Sequence, residues 1–184
     1  MYLKYFIILF IVLFLSIIPV NADETIRAEN NAYRHNNLGL LYLEEKYYFG
    51  AIKEFQIAID LVPDKQASAA YYVNLGKTYD KIGYPALAQP CFEKAVNLNV
   101  LCFDYYLILA ENYQKQGLTD EKLADFQSRK PYPLNDIMIG LLFIQKGDVA
   151  TGMTVLDEFC NHEPNLLVTA GVRNYLDKLA KEKL

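Results

Sequence analysis

The sequence contains no tryptophan, only two histidines and only three cysteines among its 184 residues. The HExxH, GxSxG, CxxC, calcium-loop and phosphate-binding glycine-loop patterns are all absent. His35 falls in a helix-packing slot and His162 at a predicted helix end, so both are expected to be structural or solvated. Cys91, Cys102 and Cys160 lack metal-ligand spacing. These absences predict a protein that is not an enzyme, with no catalytic residue, metal or other cofactor.

The charge of the chain argues against nucleic acids and anionic membranes as partners. Lysine and arginine number 18 against 22 acidic residues, which gives a formal net charge of -4 and a pI near 5.2. The basic residues form no stripe or block. Because nucleic acids and anionic membranes attract clustered positive charge, neither is expected as a partner.

The three cysteines are too few and too far apart to predict a disulfide framework. An odd number leaves at least one thiol unpaired in an oxidising compartment. Cys91 lies inside a predicted helix and Cys102 beyond its end, so their Cα atoms are expected to be more than about 7 Å apart. All three are interpreted as small buried apolar side chains.

Residues 1–22 have the layout of a secretory signal peptide. Lys4 precedes an uncharged apolar run over residues 6–18, which Pro19 ends. Small residues follow in the segment Val20-Asn21-Ala22, where a signal peptidase reads the chain. The expectation is an exported protein, periplasmic or secreted, whose mature chain begins at Asp23.

The alternative for this segment is an uncleaved membrane anchor. The apolar run of residues 6–18 is short, because a membrane-spanning helix needs roughly 17 to 25 residues. Extension of the run to residues 6–20, with tilt, would make an anchor feasible. A membrane contact is predicted only in that case.

A pattern of small and aromatic residues repeats along the chain. Its first copy, residues 32–65, places an apolar stripe on each of two segments at helical spacing, so the two helices must pack together. The first copy contains Leu38, Gly39, Tyr42, Ala51, Phe55, Ala58 and Pro63. The second copy contains Tyr72, Leu75, Gly76, Tyr79, Ala88, Phe92 and Ala95.

This pattern resembles the tetratricopeptide repeat, whose signature is L-G-x2-Y, then A-x3-F, then P. The resemblance implies an all-α fold, a right-handed superhelical solenoid of antiparallel helix pairs with a groove lined by the first helix of each pair. The implied division is a polar lead-in at residues 23–31, an array over residues 32–165 and a capping helix at residues 166–184. The four repeats fall at about residues 32–65, 69–102, 103–132 and 133–164.

The third and fourth copies match less well. In the third, Lys122 and Arg129 occupy the two alanine slots and only Phe126 remains in the second helix. The sequence therefore predicts a degenerate repeat with a short second helix. The tail from residue 166 reads as an amphipathic helix, which arrays of this kind need to cover the last apolar face.

In tetratricopeptide proteins the second, fifth, ninth and twelfth positions of each first helix usually grip the ligand. The resemblance therefore implies a partner-binding groove that includes Tyr33, Asn36, Leu40, Leu43, Val73, Lys77, Asp80, Asp104, Leu107, Glu111, Ile137, Leu141 and Ile144. A carboxylate clamp of the kind found in chaperone-binding members is not expected. Asn74 fits its slot in that clamp, but Leu40 and Glu111 do not.

Residues 135–147 are apolar on nearly every side of a helix. The packing stripe accounts for Ile139, Gly140 and Phe143, but it leaves Ile137, Leu141 and Ile144 unexplained. Two interpretations stay open: the ends of the chain cover this helix, or the helix offers an apolar anchor to a partner.

The sequence favours an exported, non-catalytic scaffold for protein–protein interaction, in the assembly or maintenance of the cell envelope. One alternative is a membrane-anchored assembly factor of a multiprotein complex. Another is an enzyme or small-ligand binder that uses the groove carboxylates Asp80, Asp104 and Glu111. The partner is a protein or peptide that the sequence does not identify, and self-association stays an open alternative.

Overall fold

The computed structural model describes residues 21–182 of the chain. Within that range the fold is entirely α-helical, with nine helices and no strand. The helices are α1 (Asn21–Glu44), α2 (Tyr48–Leu61), α3 (Ser68–Lys81), α4 (Pro85–Leu98), α5 (Phe103–Lys115), α6 (Thr119–Ser128), α7 (Pro133–Gln145), α8 (Val149–His162) and α9 (Leu167–Glu182).

The first eight helices form four consecutive pairs, as the repeated pattern predicts. In three pairs a glycine on the first helix lies against a large side chain on the second: Gly39 against Phe55, Gly76 against Phe92, and Gly140 against Leu156. The missing β-carbon lets the two backbones approach and lets the large side chain fill the seam. The fold is therefore an all-α helical repeat.

The first helix is longer than expected. It begins at Asn21 and continues to Glu44, so residues 23–31 are part of α1 and do not form a separate polar lead-in. Ala32 is fully buried and belongs to the core of the first pair. The expected signal segment and its alternative role as an anchor fall on residues 1–22, of which 1–20 lie outside the described part of the chain. None of the helices between residues 21 and 182 is long and apolar enough to cross a membrane.

The third pair has a short second helix, as the sequence predicts. Helix α6 has 10 residues, whereas α2, α4 and α8 each have 14. The difference of four residues is about one helical turn. Arg129 ends α6 in an extended conformation, with ψ of 157°.

The last helix folds back onto the array. Helix α9 contacts α8 and also reaches α5. A β-carbon on Gly171 would lie 2.6 Å from Cβ of Phe103, and the rings of Phe103 and Tyr175 are 5.5 Å apart at their centroids. Val168 and Val172 of α9 join the buried cluster that the third and fourth pairs form. The C-terminal helix thus caps the array, as expected, and ties its last two pairs together.

This arrangement corrects the predicted role of helix α7. Ile137 and Leu141 are completely buried in the same cluster as Val168 and Val172 of α9. Ile144 is half-buried and packs against that cluster. Helices α5, α6 and α8 pack against α7. Its apolar surface is therefore covered within the chain, but by neighbouring helices more than by the chain ends that the first interpretation named, and Ile137 and Leu141 are not available as an anchor for a partner.

Candidate functional site

The first helices of the second and third pairs line an open groove with a volume of about 370 Å³ and mostly charged lining residues. We call it the groove cavity. Helix α3 contributes one side of it and helix α5 the other. Its lining residues are Lys77, Asp80, Lys81, Ile108, Glu111 and Lys115. The predicted groove residues Lys77, Asp80 and Glu111 thus meet around one cavity.

Asp80 is the fixed member of this group. Its side chain is 12% exposed, and Lys115 Nζ donates to its Oδ2 at 2.7 Å. Asn112 Nδ2 donates to Oδ1 of the same carboxylate at 3.1 Å and to the carbonyl oxygen of Pro85 at 3.0 Å. Because Asn112 is fully buried, these bonds join α3, α5 and the start of α4 at the wall of the groove cavity.

Four charged side chains of the groove cavity are exposed: Lys77, Lys81, Glu111 and Lys115. Lys77 and Lys81 are four residues apart on α3, so both lie on the same face of that helix. Lys115 is held by Asp80, and the two charges offset each other. The side chains left to meet a ligand are two ammonium groups and one carboxylate.

The other predicted groove residues fall into two groups. Tyr33 and Asp104 are exposed, and Leu40, Leu43 and Leu107 are half-buried. Asn36 and Val73 are buried in the array. Asn36 Oδ1 accepts a hydrogen bond of 2.8 Å from Asn74 Nδ2, which joins the first two pairs.

The predicted site is corrected accordingly. The backbone and neighbouring helices cover Asn36 and Val73, so these side chains support the array and do not face a ligand. Asp104 lies two turns before Glu111 on α5 and is not among the residues that line the groove cavity. The three carboxylates Asp80, Asp104 and Glu111 therefore do not converge on one site.

Sequence reasoning missed Lys81, Ile108 and Lys115 at the groove cavity. Two of them were accessible from spacing, because Lys81 follows Lys77 by four residues and Lys115 follows Glu111 by four. The family comparison considered only four positions of each first helix, about one per turn. A prediction that took every residue on the groove face of α3 and α5 would have included both lysines.

Two of the three cysteines are buried as expected, and all three remain free thiols in the described part of the chain. Cys91 and Cys160 are buried, and Cys102 is half-buried. Burial raises the pKa of the Cys91 thiol to about 11, and burial is also the main cause of the raised pKa of Cys160. Between residues 21 and 182 no group of three or more histidine, cysteine, aspartate and glutamate side chains is placed to hold a metal ion.

The family model of the tetratricopeptide repeat matches residues 69–99, which span α3 and α4. This match coincides with the second copy of the repeated pattern and with one wall of the groove cavity. Among curated proteins, none matches the sequence.

One solved structure with a TM-score above 0.5 has the same fold class, and two others are similar to this chain at lower scores. A tetratricopeptide repeat protein from Parabacteroides merdae aligns with a TM-score of 0.51 at 15% identity, over 83% of this chain and 61% of that chain. YrrB, described as a tetratricopeptide protein with an unusual peptide-binding site, aligns with a TM-score of 0.46 at 19% identity, over 78% and 74% of the two chains. PcrH, solved in complex with the chaperone binding region of PopD, aligns with a TM-score of 0.49 at 15% identity, over 85% of this chain and 96% of that chain.

Proposed function

We propose that this protein is a non-catalytic scaffold that binds a peptide segment of a partner protein in the groove cavity. The observation that carries the proposal is the contrast between its charges. Asp80 is tied into the wall and Lys115 is paired with it, whereas Lys77, Lys81 and Glu111 are exposed charges outside that pair. A fixed wall with exposed charges is a preorganised surface for a polar segment.

The exposed charges favour a segment that carries acidic side chains. Two ammonium groups on one face of α3 attract carboxylates. Glu111 on α5 repels them, so the acidic side chains of the segment should face α3. Ile108 adds one apolar contact between them. Surface charges of this kind contribute mainly to association rate and selectivity, so the binding is expected to weaken as salt is raised.

We further propose that the protein is exported and acts in the assembly or maintenance of the cell envelope. The support is the sequence of residues 1–22, with its apolar run and its Val-Asn-Ala segment. The second candidate is a membrane-anchored assembly factor that retains this segment. Intact-mass measurement distinguishes them: a mass that begins at Asp23 supports cleavage, and a full-length mass in the membrane fraction supports the anchor.

The test of groove binding compares charge reversals on two faces. Full-length tagged protein is expressed in its native cells as the parent, as Lys77→Glu with Lys81→Glu, and as Lys53→Glu. Lys53 is an exposed residue of α2 outside the groove cavity. Proteins captured by each form are identified by mass spectrometry after thermal unfolding has verified that all three forms are folded.

The expected result is a partner captured by the parent and by Lys53→Glu but lost from the α3 double variant. Chemical crosslinks from that partner should then fall on α3 and α5. Capture of the same proteins by all three forms, with crosslinks elsewhere, would overturn the assignment of the groove cavity.

A further inference from the structure

The shortened third repeat leaves a second cavity, of about 290 Å³, which we call the third-repeat cavity. Helix α6 is one turn shorter than α2, α4 and α8, and residues 129–132 form no helix before α7 begins. The space lies between the end of α4, the body of α5, the end of α6 and the start of α7. The missing turn of α6 accounts for the cavity at this place.

Side chains of α5, α6 and α7 form the apolar part of the cavity wall. Tyr106, Leu109 and Tyr113 of α5 are each 3% exposed, Phe126 closes the α6 side, and Met138 lies on the α7 side. Three of these five side chains are aromatic. A pocket with such walls binds an apolar or aromatic group well, and its volume is close to the lower limit of about 300 Å³ for small-ligand sites.

A negative charge lies on one side of the cavity. Glu93 of α4 lines it, and Oε1 of Glu93 accepts hydrogen bonds from Tyr113 Oη at 2.8 Å and Gln89 Nε2 at 2.9 Å. Burial is the main cause of the raised pKa of Tyr113, and the bond to Glu93 adds to it, so the tyrosine remains a donor. Both bonds use Oε1. They fix the carboxylate and leave Oε2 to accept from a ligand.

A positive charge lies on the α6 side. The guanidinium carbon of Arg129 lies 3.9 Å from the ring centroid of Phe126, and Nη2 donates to Asp125 Oδ2 at 2.6 Å. The stacking and the ion pair hold the guanidinium in place. Since it has five donors, it retains several for another acceptor.

We propose that the third-repeat cavity binds a free α-amino acid with an apolar side chain. The ammonium group pairs with Glu93, the carboxylate pairs with Arg129, and the side chain occupies the space between Tyr106, Tyr113 and Phe126. An isolated anion would be repelled by Glu93, and an isolated cation would leave the remaining donors of Arg129 without an acceptor. A zwitterion satisfies both charges, and the cavity volume limits the ligand to roughly the size of leucine or phenylalanine.

The test uses the full-length protein, with L-leucine and L-phenylalanine as probes in isothermal titration calorimetry. Two analogues isolate the charges: N-acetyl-L-leucine lacks the ammonium group and L-leucinamide lacks the carboxylate. We expect the free amino acids to bind and each analogue to bind at least about tenfold more weakly, because one ion pair with hydrogen bonds is lost.

Three variants locate the binding. Glu93→Gln and Arg129→Gln each remove one charge. Each is expected to lower the affinity for the amino acid at least about tenfold. Their matched controls, Glu44→Gln and Arg34→Gln, make the same changes at exposed positions of α1 and should bind as the parent does. Val100→Phe fills the cavity from its lining and should abolish binding in a protein that still unfolds cooperatively.

Two results would overturn the proposal. One is the absence of heat from either amino acid at millimolar concentration, which would make the cavity a void left by the missing turn. The other is equal binding by the parent and Val100→Phe, which would place the ligand elsewhere. Equal binding of leucine and leucinamide would remove Arg129 from the site.

Discussion

The ring of Phe55 lies against Gly39 so closely that a β-carbon on residue 39 would be 2.6 Å from Cε1 of the ring. Phe55 is completely buried, and Phe92 and Gly76 repeat the relationship in the next pair. The spacing of glycine and phenylalanine in the sequence thus corresponds to one contact that fixes the distance between the helices of a pair.

Gly39→Ala is expected to destabilise the protein by about 1–3 kcal/mol, because the added methyl group overpacks the seam against Phe55. Denaturant unfolding followed by circular dichroism measures the change. The double variant Gly39→Ala with Phe55→Leu should lose less than the sum of the two single losses, because the smaller side chain relieves the clash. Additive losses would mean that the contact does not set the helix spacing.

Ile137→Asp is expected to cost more than about 3 kcal/mol, because it places an unpaired carboxylate in a fully buried position. Thermal unfolding followed by circular dichroism measures the change, and the variant should lose its helical signal at a lower temperature than the parent. Leu167→Asp is the control, since Leu167 is 77% exposed at the start of α9 and should change stability by less than about 0.5 kcal/mol. Equal melting of the two variants would contradict the covered position of α7.

Asp80→Ala is expected to destabilise the protein by about 1–3 kcal/mol, and Lys115→Ala by less than about 1 kcal/mol. Removal of the Asp80 carboxylate takes a hydrogen-bond acceptor away from Asn112, which is buried. Lys115 is 55% exposed, so water replaces its partner when it is removed. Chemical denaturation of both variants tests the order. A larger loss for Lys115→Ala would assign the stability to the ion pair itself.

The free energy of unfolding should fall as pH rises from about 9 to about 11. Burial raises the pKa of Cys91 from an ordinary value of 9.0 to about 11, so the unfolded chain releases this proton first. The contribution of the protonated Cys91 thiol to the free energy of unfolding is complete below pH 9. It is lost as the pH rises through the pKa of the thiol in the folded protein. Tyr106 and Tyr113, whose pKa values burial also raises, act in the same direction.

Urea unfolding at pH 8, 9, 10 and 11 measures this slope. Cys91→Ala should show a shallower slope than the parent, while Cys102→Ala, at a half-buried position, is the matched control. Parallel curves for the parent and Cys91→Ala would show that the thiol is not protected by the fold.

The sequence predicted the first two helix pairs well because the contacts that form each pair join residues close together in the chain. Gly39, Phe55, Gly76 and Phe92 stand at fixed offsets within each repeat, and the helices they join follow one another in the chain. The short α6 was also predictable, because Lys122 and Arg129 replace the small residues that a packed second helix needs. The existence of a capping helix followed from the amphipathic tail.

The role of α7 was not predictable from one repeat. The family pattern assigns Ile137 and Leu141 to the groove, and the sequence left open whether the chain covers this helix or a partner binds to it. The burial of Ile137 and Leu141 depends on α5, α6 and α8, which pack around α7 from both sides of it in the chain. The residue pattern of one repeat does not show how completely the neighbouring repeats cover α7. The groove cavity was found in part, through Lys77, Asp80 and Glu111, since those residues lie on the faces that neighbouring repeats share.

The return of α9 to Phe103 has a consequence for synthesis. The first two helix pairs have most of their contacts within residues 21–98, so they can fold while the ribosome is still adding the rest of the chain. The last two pairs complete their core only when Val168, Val172 and Tyr175 have emerged. The second half of the molecule must therefore wait for the C-terminus, and a ribosome that stops before α9 releases a chain whose third and fourth pairs lack part of their buried core.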